Sequence, residues 1–165
     1  MIKLIAIVDS DFGVSKNGKI PWSFSDDLRF FREKTEGGVV VMGKKTYFSI
    51  PEPPLKNRIN CVLSRSASSI DGAEIFSDID SVVAKYPDMW VIGGADIYNQ
   101  FLEKDLIQYA VIIKVHKSFD ADKFINKNLL ANFEMKTLFA SEAYSICEGP
   151  FNRPLKNETQ LDYNS

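Results

Sequence analysis

The chain has 165 residues, of which 45% are hydrophobic and 25% are charged, and its formal net charge at pH 7 is −2. This composition is typical of a single globular domain, here residues 1–165, that is large enough to bury a hydrophobic core. The balanced charge gives no basis for nucleic-acid binding, and no apolar run is long enough to span a membrane. The chain starts directly in a strand-like run without a signal-peptide pattern, so we expect a cytoplasmic enzyme or binding domain.

Cysteine and histidine are too few to indicate a disulfide framework or a metal site. The two cysteines, Cys61 and Cys147, do not make such a framework. His116 is the only histidine, and no group of cysteine and histidine has the spacing of metal ligands. We therefore expect no metal, and we expect Cys61 to be a small buried side chain within a strand.

Apolar runs alternate with turn-forming residues along the chain. The first run, Ile2 to Val8, predicts a strand that is covered on both faces, and a polar loop from Asp9 to Lys19 follows it. Further strands are predicted over residues 39–42, 58–63, 75–76, 89–92, 109–115 and 133–140. Helices are predicted over about residues 25–35, 78–85 and 97–102, with a short one that ends at residue 50.

The alternation of strands and helices predicts an α/β fold with a largely parallel sheet. The end of the chain is less regular, and the part after about residue 147 is the least certain. The sequence does not distinguish between Tyr144 to Cys147 and Glu158 to Tyr163 as the closing strand.

The helix predicted from Ser25 to Thr35 carries a carboxylate on its apolar face. The residues that share this face, at spacings of three and four, are Phe24, Asp27, Leu28 and Phe31. An ionised carboxylate in an apolar cleft acquires either a raised pKa or a specific cationic partner. Asp27 is therefore a candidate for acid–base chemistry or for binding a cationic heterocycle. The structural alternative is that an acidic residue in the first turn complements the helix dipole.

Three buried strands each run into a loop that is suited to phosphate. The loops are Gly43-Lys44-Lys45-Thr46, Ser64-Arg65 and Gly93-Gly94-Ala95-Asp96. Glycine lets backbone N–H groups approach an anion, and the N-terminus of a following helix favours negative charge. Because ligands bind at the carboxyl ends of strands in open α/β sheets, we expect these loops and Asp27 to meet at one edge. Taken singly, a glycine pair is more typical of a turn and a lysine pair of a solvated surface.

Five short motifs stand in a fixed order along roughly the first 140 residues. They are Ile20-Pro21-Trp22 with Asp27 five residues beyond Trp22, Val41 to Thr46, Pro54 to Arg58, Val62 to Arg65, and Val91 to Tyr98. Each motif is modest alone, and neither Gly-x-Gly-x-x-Gly nor a Walker motif is present. In this order and at these separations they resemble the dihydrofolate reductase family in its chromosomal bacterial form.

The resemblance implies a central eight-stranded, mixed and mostly parallel sheet flanked by four helices. It also implies hydride transfer from NADPH to C6 of 7,8-dihydrofolate with protonation at N5, which gives tetrahydrofolate for one-carbon metabolism. Antifolate inhibitors are the other implied ligands. A monomer is expected, with no nucleic-acid or membrane partner.

On the substrate side, the resemblance implies two catalytic residues. Asp27 matches the carboxylate that pairs with the pterin amino group and ring nitrogen, and Trp22 matches the residue that orders a water near the pterin carbonyl. Arg58 matches the arginine that holds the α-carboxylate of the glutamate tail, a task suited to a planar bidentate donor. The residues that match the apolar walls of the folate cleft are Ile5, Leu28, Phe31, Ile50, Leu55 and Ile92.

On the cofactor side, the resemblance places the pyrophosphate near Lys44 to Thr46 and the 2′-phosphate near Ser64 and Arg65, which favours NADPH over NADH. Gly93-Gly94 matches a glycine pair that is joined by a cis peptide in the family. The loop from Asp9 to Ile20 matches a mobile lid. The implied cofactor-binding residues are Ala6, Ile7, Val14, Ile20, Gly43, Lys44, Lys45, Thr46, Leu63, Ser64, Arg65, Gly93, Gly94, Ala95, Asp96, Ile97 and Tyr98.

Four positions depart from the family pattern. Ile113, in the substrate site, stands where the family usually has a threonine bonded to the pterin-binding carboxylate, so Asp27 is expected to be less well satisfied. Ile7 replaces an alanine at the nicotinamide edge, and Ser15 replaces a glycine in the lid. Lys44 replaces an arginine, which keeps the positive charge but loses the planar, bidentate donor geometry of a guanidinium. These changes remove no catalytic group, but they raise the hypothesis of altered antifolate binding.

Two other functions remain open at this point. The first is a reductase that uses NADPH on another heterocycle, such as a riboflavin-pathway aminopyrimidine; Asp27 and Arg58 argue against it because they suit a pterin and a glutamate tail. The second is a non-catalytic pterin- or nucleotide-binding protein, which Ile113 and Ile7 make plausible. Turnover would separate the second from both reductases.

Overall fold

The structure, a computed structural model, describes residues 1–18 and 25–152, and it describes residues 25–28 by their backbone alone. Several predicted features lie outside the described residues. They are Ile20, Trp22, Phe24, the strand alternative at 158–163, and the side chains of Asp27 and Leu28.

Strands and helices alternate through most of the chain. The strands are β1 (Ile2–Val8), β2 (Gly13–Ser15), β3 (Val39–Gly43), β4 (Ile59–Leu63), β5 (Glu74–Phe76), β6 (Met89–Gly93), β7 (Tyr109–Val115), β8 (Lys123–Phe124), β9 (Lys136–Ala140) and β10 (Tyr144–Pro150). The helices are α1 (Ser25–Thr35), α2 (Lys44–Ser49), α3 (Ile79–Lys85), α4 (Ala95–Glu103) and α5 (Lys127–Leu130). Among the described residues no helix is long and apolar enough to cross a membrane.

Eight of the strands form one mixed sheet, in the order β5-β4-β3-β6-β1-β7-β10-β9. The strands from β5 to β7 pair in parallel, and β10 pairs antiparallel with both β7 and β9. The predicted α/β class and the eight-stranded, mostly parallel sheet are therefore confirmed. The described part of the chain has five helices rather than four, because a single turn, α5, adds to the expected set.

Most element bounds follow the apolar pattern, and the exceptions have local causes. Helix α1 has its predicted bounds, and the side chain of Asp78 caps α3 by accepting from the Ser81 N–H at 2.7 Å. Strand β9 starts at Lys136 rather than at Phe133 because Phe133 is buried in the core and bridges to Phe151 instead.

One predicted loop contains a strand, and the position of the closing strand, which the sequence left open, is defined by the structure. The loop predicted from Asp9 to Lys19 contains β2, which pairs antiparallel with β8 as a separate two-stranded ribbon. The closing strand of the sheet is the first alternative, Tyr144 to Cys147, and it continues to Pro150.

The central strand β1 is buried on both faces, as predicted. Leu4, Ala6 and Val8 belong to the hydrophobic cluster under α3 and α4. Ile5 belongs to the opposite cluster, against which Phe30 and Phe31 of α1 pack. Helix α1 therefore lies on the face of the sheet that Ile5 occupies.

A buried carboxylate holds the end of α1 to the sheet. Glu148 on β10 is 8% exposed, and its Oε1 lies 3.7 Å from the Nζ of Lys34 in the last turn of α1. The hydroxyl of Tyr109 on β7 donates to the other oxygen of Glu148. Because a buried charge is costly without partners, this cluster favours one placement of α1 against the sheet.

Cys61 is a fully buried thiol on β4, as expected. Burial raises its pKa to about 12, and the nearby Glu74 carboxylate adds to the rise. Because the folded-state pKa is raised, this thiol lowers the free energy of unfolding only as the pH rises from about 8.5, the value of a free thiol, toward about 12.

We expect a thiol reagent at about pH 8 to modify Cys147 and to leave Cys61 unmodified in the folded protein, because the reactive species is the thiolate. Cys147 is partly exposed and Cys61 is not. Mass spectrometry after a timed pulse of iodoacetamide measures this, and the denatured protein, in which both residues should react, is the control. Equal labelling of Cys61 and Cys147 in the native protein would contradict the placement of β4 in the core.

Candidate active site

A cavity of about 760 Å³ opens where three neighbouring parallel strands, β3, β6 and β1, end. Strand β1 contributes Ile5 and Ile7, and β6 contributes Ile92 and Gly93. The segment after β3 contributes Lys45 and Thr46. The carboxyl ends of parallel strands are the usual ligand position in an open α/β sheet. The prediction that three loops meet at one edge holds for Lys45-Thr46 and for Gly93 to Asp96, which line the cavity, but Ser64 and Arg65 are not among its lining residues.

One side of the cavity is apolar. Its aliphatic and aromatic lining residues are Ile5, Ile7, Phe31, Ile50, Leu55 and Ile92. These side chains come from β1, α1, β6 and the segment after α2. They form a surface that suits a flat heterocyclic or aromatic ligand rather than a highly charged one.

The other side of the cavity presents backbone N–H groups. The Gly93-Gly94 peptide is cis, and Gly94 is the N-cap of α4 without a side-chain cap. The next three residues, Ala95 to Ile97, line the cavity. Because the first N–H groups of a helix have no acceptor within the helix, this end favours an anionic group.

Close packing joins the segment after β3 to the glycine pair. A Cβ on Gly94 would lie 3.4 Å from the Oγ1 of Thr46, and a Cβ on Gly93 would lie 3.3 Å from the hydroxyl of Tyr98. Tyr98 donates to the carbonyl of Ile5 at 2.8 Å, and burial raises the pKa of its phenol. These contacts tie α4 to β1 across the cavity.

Arg58 lines the cavity, and its side chain is 4% exposed. Its Nη2 donates to the carbonyl of Arg32 at 3.1 Å and to the Oε2 of Glu36 at 3.3 Å, and its Nη1 donates to the carbonyl of Lys56 at 3.0 Å. Burial lowers the pKa of this guanidinium from its ordinary value, the Glu36 carboxylate opposes that, and the nearby Arg32 adds to the lowering. An arginine nonetheless stays charged.

The buried Nε of Arg58 has no hydrogen-bond partner among the described residues. A buried N–H without an acceptor is costly. Arg58 lines the cavity, and its Nη1, which donates to one carbonyl, has a second N–H for a ligand carboxylate.

The ribbon of β2 and β8 covers one rim of the cavity. Val14, Ser15, Asn17 and Gly18 line the cavity from the β2 side, and Asp122 and Lys123 line it from the β8 side. The Oδ2 of Asp122 accepts from the Asn17 N–H at 3.0 Å, and the Asp122 N–H donates to the carbonyl of Ser15, also at 3.0 Å.

A fully buried carboxylate, Asp9, holds the base of this ribbon. Its Oδ1 accepts from the N–H groups of Asp11 and Gly13, both at 2.8 Å, and its Oδ2 accepts from the Phe119 N–H at 3.2 Å. Gly13 has no room for a side chain here, because a Cβ would lie 2.3 Å from the Cβ of Ala121 and 2.9 Å from the Oδ2 of Asp9.

Comparison with known proteins decides which family has this arrangement. The sequence model of the family described as dihydrofolate reductase matches residues 1–144 of the chain. The dihydrofolate reductase of Gallus gallus is 31% identical over 165 residues, which cover 87% of this chain and 87% of that protein. The chain belongs to the dihydrofolate reductase family. It is accordingly an NADPH-dependent reductase that converts 7,8-dihydrofolate to tetrahydrofolate.

Two further comparisons concern length and fold. The bifunctional dihydrofolate reductase-thymidylate synthase of Paramecium tetraurelia is 29% identical over 127 residues, and the match covers 74% of this chain but 28% of that longer protein. A solved structure, dihydrofolate reductase from Enterococcus faecalis complexed with NADP(H) and RAB-propyl, has a TM-score of 0.79 and 24% identity over 93% of this reductase and 97% of that chain. The second likeness supports the shared fold.

The cavity of this reductase brings together most of the residues that the resemblance implied. Those that line it are Ile5, Ile7, Val14, Phe31, Lys45, Thr46, Ile50, Leu55, Arg58, Ile92, Gly93, Gly94, Ala95, Asp96, Ile97 and Tyr98. Asp27 lies in the first turn of α1 by its backbone. The predicted cis peptide between Gly93 and Gly94 is present.

Other predicted residues do not line the cavity. Ala6 and Ile113 are buried in the two hydrophobic clusters, Gly43 ends β3, and Lys44 is exposed. Leu63 ends β4, and Ser64 and Arg65 follow it, one parallel strand further from the cavity than β3. Their contact with a nucleotide stays a prediction.

Sequence reasoning missed several lining residues. They are Asn17, Gly18, Arg32, Ser49, Pro51, Asp122 and Lys123, and Ser15 was singled out only as a departure in the lid. Asp122 and Lys123 reach the cavity because β8 pairs with β2, and no local pattern predicts that pairing. Arg32, the residue after Phe31 on α1, also lines the cavity, although the apolar pattern of the helix does not include it.

We expect Gly13→Ala to lower the free energy of unfolding of this reductase by about 1–3 kcal/mol, the usual cost of forcing a methyl group into a filled space. Urea unfolding followed by tryptophan fluorescence measures it. Lys16→Ala, an exposed change in the same loop, is the matched control and should stay within about 0.5 kcal/mol of the parent. Equal stability of the two variants would show that β2 does not pack against Ala121 as described.

Proposed function

We propose that dihydrofolate binds with its pterin and aminobenzoyl rings along the apolar side of the cavity and its glutamate tail at Arg58. The single observation that carries this proposal is that one cavity is lined by an apolar wall, by an arginine with an unused N–H group, and by the start of a helix. A ligand with a flat ring system and a terminal carboxylate fits the first two of these features, and an anionic cofactor fits the third.

The residues on the polar side fit the pyrophosphate of NADPH. The bare N–H groups at the start of α4, the Lys45 ammonium and the Thr46 hydroxyl form a donor set for an anion. A Cβ at Gly94 would come into van der Waals contact with Thr46, at the point where the backbone N–H groups begin. Asp96 also lines the cavity, and its negative charge does not suit an anion, but its side chain is exposed to solvent. When bound, NADPH supplies the hydride.

Protonation of the pterin is assigned to Asp27 together with Trp22. Asp27 is in the first turn of α1 by its backbone, and Trp22 precedes it by five residues in the sequence; Lys34 and Glu148 hold this helix to the sheet. The proposed role of Asp27 is to bind the pterin amino group and ring nitrogen and to favour proton delivery at N5, while Trp22 holds a water. The ribbon of β2 and β8 excludes bulk water from the cavity when it lies over the ligands.

Ile113 and Ile7 stand side by side in the sheet, as register partners on β7 and β1. Two of the departures from the family pattern are therefore adjacent. Ile113 is fully buried and has no hydroxyl to offer a carboxylate. We infer that Asp27 in this enzyme lacks the hydrogen bond that a threonine at position 113 would give, and that antifolates with a diaminopyrimidine ring are affected through the same carboxylate.

We further propose that the enzyme works as a monomer in the cytoplasm and has neither a nucleic-acid nor a membrane partner. The two free cysteines and the small net charge are consistent with this assignment.

Turnover is the test of the proposal. Purified enzyme with dihydrofolate should consume NADPH rapidly and NADH slowly, as followed by loss of the reduced-nicotinamide absorbance. NADPH binding without turnover would favour a binding protein, and NADPH consumption with an aminopyrimidine but not with dihydrofolate would favour the other reductase.

Asp27→Asn is expected to fold normally and to reduce the rate of dihydrofolate reduction at pH 7 by about 10²–10⁴-fold, the usual contribution of acid–base groups. Part of the rate should return at low pH, where the substrate arrives already protonated. The measurement is kcat across the pH range, with Asp26→Asn as the matched control on the neighbouring residue. An unchanged rate at pH 7 would remove Asp27 from the mechanism.

A further inference from the structure

Asn60 is a buried polar residue near the start of β4, where it is 3% exposed. Its neighbours along the strand, Cys61 and Val62, are fully buried and apolar. A buried amide at such a position is costly unless its donors and acceptor are all used. The side chain of Asn60 therefore needs partners nearby.

All the hydrogen bonds of this amide go to the segment that precedes β4. The Oδ1 of Asn60 accepts from the Leu55 N–H at 3.0 Å, and its Nδ2 donates to the Leu55 carbonyl at 2.9 Å. The same Nδ2 donates to the Arg58 carbonyl at 3.1 Å. One side chain thus uses its acceptor and its amino group on two residues of one loop.

The two residues held in this way are both in the lining of the cavity. The segment between Ser49 and Ile59 contains no helix or strand to fix it. The side chain of Leu55 supplies apolar wall, and the guanidinium of Arg58 is the proposed anchor for the substrate carboxylate. The side-chain amide of Asn60 supplies hydrogen bonds to this segment in place of those that a helix or a strand would make.

Arg58 is held at two levels. Its guanidinium contacts Arg32, Glu36 and Lys56 through polar atoms, while its backbone carbonyl contacts Asn60. The contacts of the guanidinium fix the orientation of the Arg58 side chain, and the contact of the carbonyl fixes the position of the Arg58 backbone. Small displacements of a bidentate donor weaken its bond to a carboxylate strongly.

We propose that Asn60 is a positioning residue for the carboxylate tail of the substrate, because it clamps the 55–58 loop so that Leu55 and Arg58 face the cavity. This inference rests on the proposed binding of dihydrofolate at Arg58. It assigns to Asn60 a share of substrate specificity, although its own side chain is directed at the loop and not at the ligand.

The main experiment compares two substrates that differ only in the tail. Dihydrofolate has the glutamate carboxylate, and 7,8-dihydropteroate has the same rings without it. In Asn60→Asp an oxygen replaces the amino group that faces two carbonyls, at nearly constant volume. We expect the KM for dihydrofolate to rise about tenfold, the KM for dihydropteroate to rise by about threefold or less, and the KM for NADPH and kcat to change little.

A matched control comes from another bridging amide of the chain. Asn99 donates to the Phe124 carbonyl at 3.0 Å and accepts from the Asn126 N–H at 2.9 Å. Asn99→Asp should lower Tm without changing the ratio of the two KM values. Equal losses on dihydrofolate, dihydropteroate and NADPH in Asn60→Asp would mean that Asn60 is merely structural, and would overturn the proposal.

A double-mutant cycle tests the route through Arg58. In Arg58→Gln the preference for dihydrofolate over dihydropteroate should largely disappear, and adding Asn60→Asp should then cost little more on that ratio. Additive losses would contradict action through Arg58. If the parent enzyme does not reduce dihydrofolate at all, the proposed function fails before these variants are compared.

Amide hydrogen exchange on the unmodified protein keeps the proposal testable if Asn60→Asp does not fold. The Leu55 N–H, which Asn60 accepts, should exchange much more slowly than the N–H of Lys56 next to it, for which the structure gives no acceptor among the described residues. Fast exchange at Leu55 would show that the clamp is absent in solution, and the proposal would be dropped.

Discussion

The parallel pairing of β3, β6 and β1 is the constraint on which the rest of the molecule depends. It brings three strand ends to one edge of the sheet, so the loops that follow these strands lie close to each other. Each loop then has its own chemistry: a lysine and threonine pair after β3, two glycines and a helix start after β6, and a polar ribbon after β1. The cavity is the space left between these loops and α1.

The buried polar side chains of the cavity and of its rim depend on hydrogen bonds within the protein. Arg58 donates to two carbonyls and one carboxylate, and Asp9 accepts from three backbone N–H groups. Each side chain has at least one partner that is distant in sequence, so each also joins separate parts of the fold. The same groups that make the site polar therefore make it rigid, and Asn60 adds a neutral example of this principle.

The sequence predicted the sheet well because its strands are runs of apolar residues with clear turn signals. It predicted α1 to the residue, since the pattern of three and four is unbroken there. It failed where the cause is distant: the ribbon of Gly13–Ser15 with Lys123–Phe124 depends on a partner more than a hundred residues away. It also left the last strand open, because Tyr144–Pro150 alternates small, polar and apolar residues without a clear period.

The candidate site was predicted in part for a similar reason. Residues that follow strands, such as Gly93 and Thr46, were found from local motifs, and they line the cavity. Ser64 and Arg65 follow a strand as well, but their strand is one position further out in the sheet, an order that the sequence does not reveal. The role of Asn60 could not be predicted, because a single asparagine within a strand pattern has no distinguishing neighbours in the sequence. Its hydrogen bonds to Leu55 and Arg58 are evident only from the structure.

Two long-range hydrogen bonds hold the ribbon of β2 and β8 at the rim of the cavity. The hydrogen bond from Asn17 to Asp122 closes a loop of 105 residues, and that from Phe119 to Asp9 closes one of 110. Closing such loops costs chain entropy that only a formed sheet can offset. The ribbon of β2 and β8 therefore depends on the formed sheet to hold the two ends of each loop together. A change confined to these two hydrogen bonds is expected to loosen the ribbon before it loosens the sheet.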